Sequence, residues 1–215
     1  METSVYIEGT KYTVPSYITA AQWATISENP ESKKWFIATV MNIPFSELNE
    51  LKAVDIETIW LFGQHIFKDL ETAKKSHLDF ERLTFGQWVD LDVLATENPH
   101  TKIVAITTKL LEEDTSQKRL RDVWPHFREY IEWRNNVYQD YKNLFGLDGE
   151  YAEEEGPGVD ITQVWYDAIM VLADQNFINI DEVVEKPFRQ ALNYLAWKKD
   201  QADKQADQMK KIQTK

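Results

Sequence analysis

The sequence contains no cysteine, which excludes disulfide bonds and thiolate ligands for a metal. No apolar run approaches the roughly 20 residues that a membrane-spanning helix needs. The N-terminus also lacks the basic and then apolar layout of a signal peptide. We therefore expect a chain that is neither exported by that route nor embedded in a membrane, and that folds in a reducing compartment such as the cytoplasm.

Motifs for catalysis or cofactor binding are missing as well. There is no glycine-rich phosphate loop and no Gly-x-Ser-x-Gly elbow. The four histidines are scattered, and Pro99 forbids the helix that would make Glu97 and His100 a metal-ligand pair. We accordingly expect no enzyme activity: the sequence predicts no catalytic residues, no cofactor and no metal.

One carboxylate pair keeps a catalytic alternative open. Asp90 and Asp92 would lie on one face of a strand, but a capped helix is predicted there and would separate them. We expect both side chains to be solvated.

Glycine and proline are scarce, with seven of each among 215 residues, while 43% of the residues are hydrophobic. Apolar residues recur with a period of about 3.6 over long stretches, which is typical of helices. Two short β-favouring runs, residues 5–7 and 12–14, flank a turn at Gly9. The sequence therefore predicts a mainly α fold, a multi-helix bundle with a small N-terminal β-hairpin and a long C-terminal helix.

Three segments are predicted along the chain. Residues 1–146 form a helical body with the hairpin, residues 147–159 form an acidic Gly/Pro loop, and residues 160–215 form a C-terminal helix pair. In that pair, Asp160 is the expected N-cap of a buried helix, with Gln163 reaching back to complete a capping box, and Pro187 opens the second helix.

Two helix starts in the body share one pattern. Thr19 with Gln22 and Thr84 with Gln87 are expected capping boxes, each followed by tryptophan and later by Glu-Asn-Pro. This pattern fits either an internal repeat or convergence on the same capping chemistry.

The end of the second C-terminal helix is too polar to be stable alone. Beyond Trp197 its only apolar seam is Ala202, Ala206, Met209 and Ile212. These four residues and Trp197 are candidate interaction residues. Trp133 is a sixth candidate, because it lies off the main apolar stripe of its helix. The alternative is a solvated helix held by pairs such as Asp200 with Lys204.

Charge is unevenly distributed along the chain. The net charge is −12, which argues against sequence-specific nucleic-acid binding and favours protein partners. Residues 198–215 carry six lysines and three aspartates, a net charge of +3, which leaves −15 for the rest. A basic helix on an acidic body predicts electrostatic docking, either on its own body or on another copy.

Most of the chain resembles the structural and assembly proteins of tailed bacteriophages. The resemblance is carried by the layout of KYTVPSYITAAQW, KKWFIATVMNIPFSELNELKAVDIETIW, LTFGQWVDLD and VWYDAIMVLADQNFINIDEVVEKPFRQALNYLAWKKDQAD. It implies a non-enzymatic virion protein, a head–tail connector or tail component that is assembled in the host cytoplasm and contacts other virion proteins and its own copies. A tail assembly chaperone that is not retained in the virion is the alternative.

Overall fold

The chain is mainly α-helical in the computed structural model, which describes residues 3–67, 70, 74–146 and 160–213. A two-stranded antiparallel hairpin begins the fold and a long helix ends it, so the predicted fold class is confirmed. The acidic loop predicted at 147–159 lies outside the described residues.

The hairpin pairs β1 (Thr3–Ile7) with β2 (Thr10–Val14), and Val5 lies opposite Tyr12. Glu8 and Gly9 form the turn, with φ of 49° and 86°. Positive φ at both positions is what a two-residue turn between twisted strands requires, and glycine adopts it without strain. The predicted hairpin is therefore present, with a turn two residues shorter than expected.

Eleven α-helices occupy the described part of the chain. They are α1 (Ala20–Ser27), α2 (Lys33–Met41), α3 (Phe45–Glu50), α4 (Ala53–Gly63), α5 (Phe85–Ala95), α6 (Ile103–Leu111), α7 (Leu120–Asp140), α8 (Lys142–Phe145), α9 (Ile161–Leu172), α10 (Ile180–Val184) and α11 (Phe188–Gln213). Short 3₁₀ turns cover Gln64–Phe67, Phe80–Arg82 and Phe177–Asn179.

These elements divide into two compact units. The described residues within 1–78 and 97–129 form the first unit, and those within 79–96 and 130–215 form the second. This division differs from the predicted body and C-terminal pair, because α5 contacts α9, α10 and α11 within the second unit. The boundary also falls within α7.

The first unit has an aliphatic core with an aromatic edge. Ile18, Ile37 and Ile103 are fully or almost fully buried, and Trp23 packs edge-on against Phe67 and Trp124. Of the five tryptophans that fall on apolar helical stripes in the sequence, Trp88 and Trp165 are buried and belong to the second unit. The other three, Trp23, Trp60 and Trp124, are half-buried.

Both predicted capping boxes are confirmed. At the start of α1, the backbone N–H of Gln22 donates to Thr19 Oγ1 at 3.2 Å, and the N–H of Thr19 donates to Gln22 Oε1 at 3.0 Å. At the start of α5, the N–H of Gln87 donates to Thr84 Oγ1 at 3.3 Å, and the N–H of Thr84 donates to Gln87 Oε1 at 3.0 Å. Each box satisfies two backbone groups that a helix start leaves unpaired.

Each capped start also pairs with the start of a long helix. In the first unit, Ala20 N–H donates to Lys118 O at 3.0 Å, and Leu120 N–H donates to Ile18 O at 2.8 Å. In the second unit, Phe85 donates to Lys186 O at 2.7 Å and Phe188 donates to Leu83 O at 3.2 Å. Convergence on the same capping chemistry would not require the backbone bonds between each capped start and a long helix. Their presence in both units therefore favours the hypothesis of an internal repeat.

Some local expectations are wrong. Helix α9 is not buried as a whole: Trp165 is the one buried residue among its described positions, and Val164 is exposed. Asp160 does cap the helix, accepting from Thr162 N–H at 2.9 Å, but Gln163 bonds Asp167 instead of completing a capping box. Asp167, one helical turn after Gln163, competes with the backbone N–H of the N-cap for the Gln163 side chain.

Two histidines of the first unit, His100 and His126, pack against aromatic rings. His126 is buried and bonds Ser76 Oγ through Nδ1 at 2.8 Å, with the ring of His77 5.2 Å away. His100 stacks on Trp124. The pKa of each imidazole lies below its ordinary value, chiefly because burial penalises the charged form.

These pKa values predict a pH-dependent stability. A histidine whose pKa is lowered by folding is protonated more readily in the unfolded chain, so stability is complete above about pH 6.5 and falls as the solution is acidified. We expect His126→Gln to flatten the decline in Tm between pH 7.5 and 5.5. Parallel Tm curves for the variant and the wild type would show that His126 does not contribute.

Candidate functional site

Helix α11 has a buried first part and an exposed second part. Phe188, Ala191, Leu192 and Leu195 are buried in the core of the second unit, where Phe188 stacks on Trp88 with ring centroids 5.4 Å apart. The residues from Ala202 to Ile212 are all exposed. The described part of the chain therefore covers α11 only near its start.

Ion pairs fix the start of α11. The Arg189 guanidinium donates to Glu81 through two bonds of 2.9 Å and to Asp140 at 2.8 Å. Glu81, followed by Asp140, raises the pKa of Arg189 above its ordinary value against the opposing effect of burial. The guanidinium thus joins α11 to the 3₁₀ turn at 80–82 and to the end of α7.

Trp133 lies in this anchoring region and not beside the other candidate interaction residues. It is half-buried, its ring packs against those of Trp88 and Phe188, and its Nε1 donates to Glu81 at 2.9 Å. Its indole therefore supports α11 from inside the second unit.

The other five candidate residues lie along the exposed part of α11. Trp197 is 53% exposed and packs on Tyr194, with ring centroids 5.6 Å apart. Ala202 and Ala206 are exposed, and Met209 and Ile212 are 64% and 74% exposed. At 100° per residue, Ala202, Ala206 and Met209 continue the face that Ala191 and Leu195 bury. We call Lys198–Gln213 the α11 tail.

A groove lies beside the start of α11, between that helix, α9 and α10. Its volume is about 350 Å³. Its lining combines apolar side chains with an ion pair of Glu182 and Lys186 at 2.7 Å, and this contact lowers the pKa of the Glu182 carboxyl. Glu182 and Lys186 balance each other in its own lining, and we call it the acidic groove after the acidic segment that borders it; its lining is Leu172, Asn179, Glu182, Val183, Lys186, Gln190, Ala191 and Tyr194.

The segment that borders the acidic groove is both acidic and apolar. Residues 174–185 contain four carboxylates and no basic residue. Phe177 and Ile178 in this segment are 74% and 72% exposed. The sequence analysis did not single out this region. Its signal is nevertheless present in the sequence, because acidic residues stand next to apolar ones that do not follow a helical spacing.

Asp92 is a buried carboxylate and not a solvated one, so that expectation is wrong. Its side chain is fully buried, and Arg134 Nε donates to Oδ1 at 2.6 Å. Tyr138 OH lies 3.0 Å from both oxygens, and Trp165 Nε1 donates to Oδ2 at 2.8 Å. Asp90, two residues earlier on α5, is exposed, as a helical spacing requires.

This arrangement fits a structural role for Asp92. Both oxygens are occupied by donors from α7 and α9, and the full burial of Asp92 leaves no path for a substrate. Burial and then the negative charge of Asp92 raise the pKa of the Tyr138 hydroxyl, which keeps it protonated as a donor. The carboxylate thereby connects α5, α7 and α9.

Neither a metal site nor a membrane span is found among the described residues, and the chain matches no known protein. Among the described residues, no three acidic, histidine or cysteine side chains are grouped so that they could hold a metal ion. No helix within those residues is long and apolar enough to span a membrane. Comparisons with protein-family models, curated proteins and solved structures find no match.

The buried charge predicts a marked difference between two neighbouring aspartates. Asp92→Ala removes the acceptor for the donors of Arg134, Tyr138 and Trp165 and leaves Arg134, whose side chain is only 13% exposed, without its carboxylate. We expect a loss of about 3 kcal/mol in the free energy of unfolding, measured with urea.

Asp90→Ala is the matched control on the same helix. Because Asp90 is exposed, we expect its replacement to cost less than about 1 kcal/mol. Equal losses for the two variants would contradict the structural role assigned to Asp92.

Proposed function

We propose that this protein is a non-enzymatic virion structural protein of a tailed bacteriophage, a connector or tail component that acts through protein–protein contacts. The observation that carries the proposal is the α11 tail. Its apolar face continues the buried face of the same helix but is exposed from Ala202 to Ile212. A helix face of this kind gains stability from a second helix or a groove.

Charge supports association between copies of the chain. The α11 tail is basic, whereas the rest of the protein carries the negative charge. Opposite charges accelerate encounter and orient the partners, while the apolar face supplies most of the contact energy.

The assignment to a phage rests on the layout of the sequence. The hairpin and the two capped helix starts, on which the resemblance partly depends, are features of the fold. We place the protein in the virion after assembly in the host cytoplasm, in contact with other virion or tail proteins.

A tail assembly chaperone is the second candidate, and a specific observation favours it. Phe177, Ile178 and Trp197 expose more than half of their surface, and exposed apolar groups suit transient binding of a tail protein. Such a protein would leave before the virion is complete.

Removing the α11 tail tests whether it mediates self-association. We expect a chain that ends at Trp197 to keep its fold, because the removed residues from Ala202 to Ile212 are exposed, and to elute as a monomer. Size-exclusion chromatography with light scattering would show this, and circular dichroism would report the fold. Loss of the fold would place the tail within the core and contradict the proposal.

Substitutions in the full-length chain provide the control. Met209→Gln with Ile212→Gln should also abolish association, whereas Gln208→Ala, on the neighbouring polar position, should not. Raising the salt concentration should weaken the wild-type assembly, because salt screens contacts between exposed charges.

A virion component and an assembly chaperone predict different locations for the protein after infection. Mass spectrometry of purified particles from a phage that encodes the chain should detect it in stoichiometric amounts if it is a virion protein. Its presence in the infected-cell lysate but not in particles would instead support the chaperone. Its absence from both during infection would contradict both roles.

A further inference from the structure

The α11 tail and the acidic groove are complementary surfaces on the same chain. The described tail carries five lysines and three aspartates, a net charge of +2, and exposes Met209 and Ile212. The segment that borders the groove, residues 174–185, carries a net charge of −4, or −3 when Lys186 of the groove lining is included, and exposes Phe177 and Ile178. The two surfaces thus carry opposite net charge, and both expose apolar side chains that a contact would bury.

The tail cannot reach the groove of its own chain. The groove is lined by Gln190, Ala191 and Tyr194 from the start of α11 itself. At 1.5 Å per residue, Met209 lies roughly 28 Å along the same continuous helix from Gln190. A contact between the two surfaces must therefore join different molecules.

We propose that the α11 tail of one copy docks into the acidic groove of a second copy, with Met209 or Ile212 entering the groove and the tail lysines facing the carboxylates of residues 174–185. The groove's volume of about 350 Å³ accommodates an aliphatic side chain. Tyr194, 44% exposed at the rim, provides an aromatic surface beside it. This inference rests on the proposed function and identifies its receiving surface.

Such a contact is heterologous, because the two copies contribute different surfaces. Every bound copy still presents a free tail at one end and a free groove at the other. Repetition of the contact generates a closed ring or an open filament, depending on the rotation between neighbours. A symmetric tail-to-tail dimer would stop at two copies.

Two charge-reversal variants test the contact. The groove variant combines Glu182→Lys with Glu185→Lys, and the tail variant combines Lys204→Glu with Lys211→Glu; all four side chains are exposed. We expect each variant alone to weaken association at least about tenfold in light scattering, since like charges then face each other. Glu28→Lys with Glu31→Lys, an equal charge change on exposed residues of the first unit, should have no such effect.

Mixing the two variants provides the decisive measurement. The acidic tail of one variant then meets the basic groove of the other, and the two unaltered surfaces also match, so equimolar mixing should restore association. Circular dichroism of each variant would check that α11 and the fold are intact.

The outcomes distinguish this inference from the proposed function. If truncation after Trp197 abolishes association but the groove variant associates normally, the tail binds elsewhere and only this inference fails. Failure of mixing to restore association would also overturn it. If the wild type does not associate with itself at any salt concentration, the self-association in the proposed function fails as well.

Discussion

The packing of Phe188 against Trp88 is the interaction on which the placement of α11 depends. Trp88 is fully buried, and Arg189, the next residue along α11, is held by Glu81 and Asp140. The apolar contacts of the second unit are therefore concentrated on the first turns of the helix. The residues of α11 beyond Leu195 are not needed to hold the helix in place. Their exposed face can therefore contact another molecule without a loss of stability in the second unit.

A buried charge adds directional constraint to this aromatic core. Stacked rings tolerate small displacements, whereas the Asp92 carboxylate requires Arg134, Tyr138 and Trp165 at hydrogen-bond distance. A shift of α7 or α9 by one residue would leave buried donors unpaired, which costs more than the net gain from forming them. Asp92 thus contributes mainly to the uniqueness of the packing, a role attested for some buried polar groups.

Local patterns predicted local structure well and tertiary structure poorly. The boxes at Thr19 and Thr84 and the turn at Gly9 depend on residues within a few positions of each other, and all are present. The burial of Asp92 depends on partners 42 to 73 residues away, which no helical period reveals. The exposed tail followed from composition alone, but the acidic groove arises only where α9, α10 and α11 meet.

The two long helices differ in one respect that bears on assembly. Both α7 and α11 start at a backbone pairing with a capped helix, and each carries Lys-x-apolar-Arg at that start. The later residues of α7 belong to the second unit, where Tyr130 and Val137 are buried. Among the described residues, nothing buries the later turns of α11 in the same way. If the two units descend from a repeat, the second copy of the chain that we propose as a partner would supply the cover for these turns.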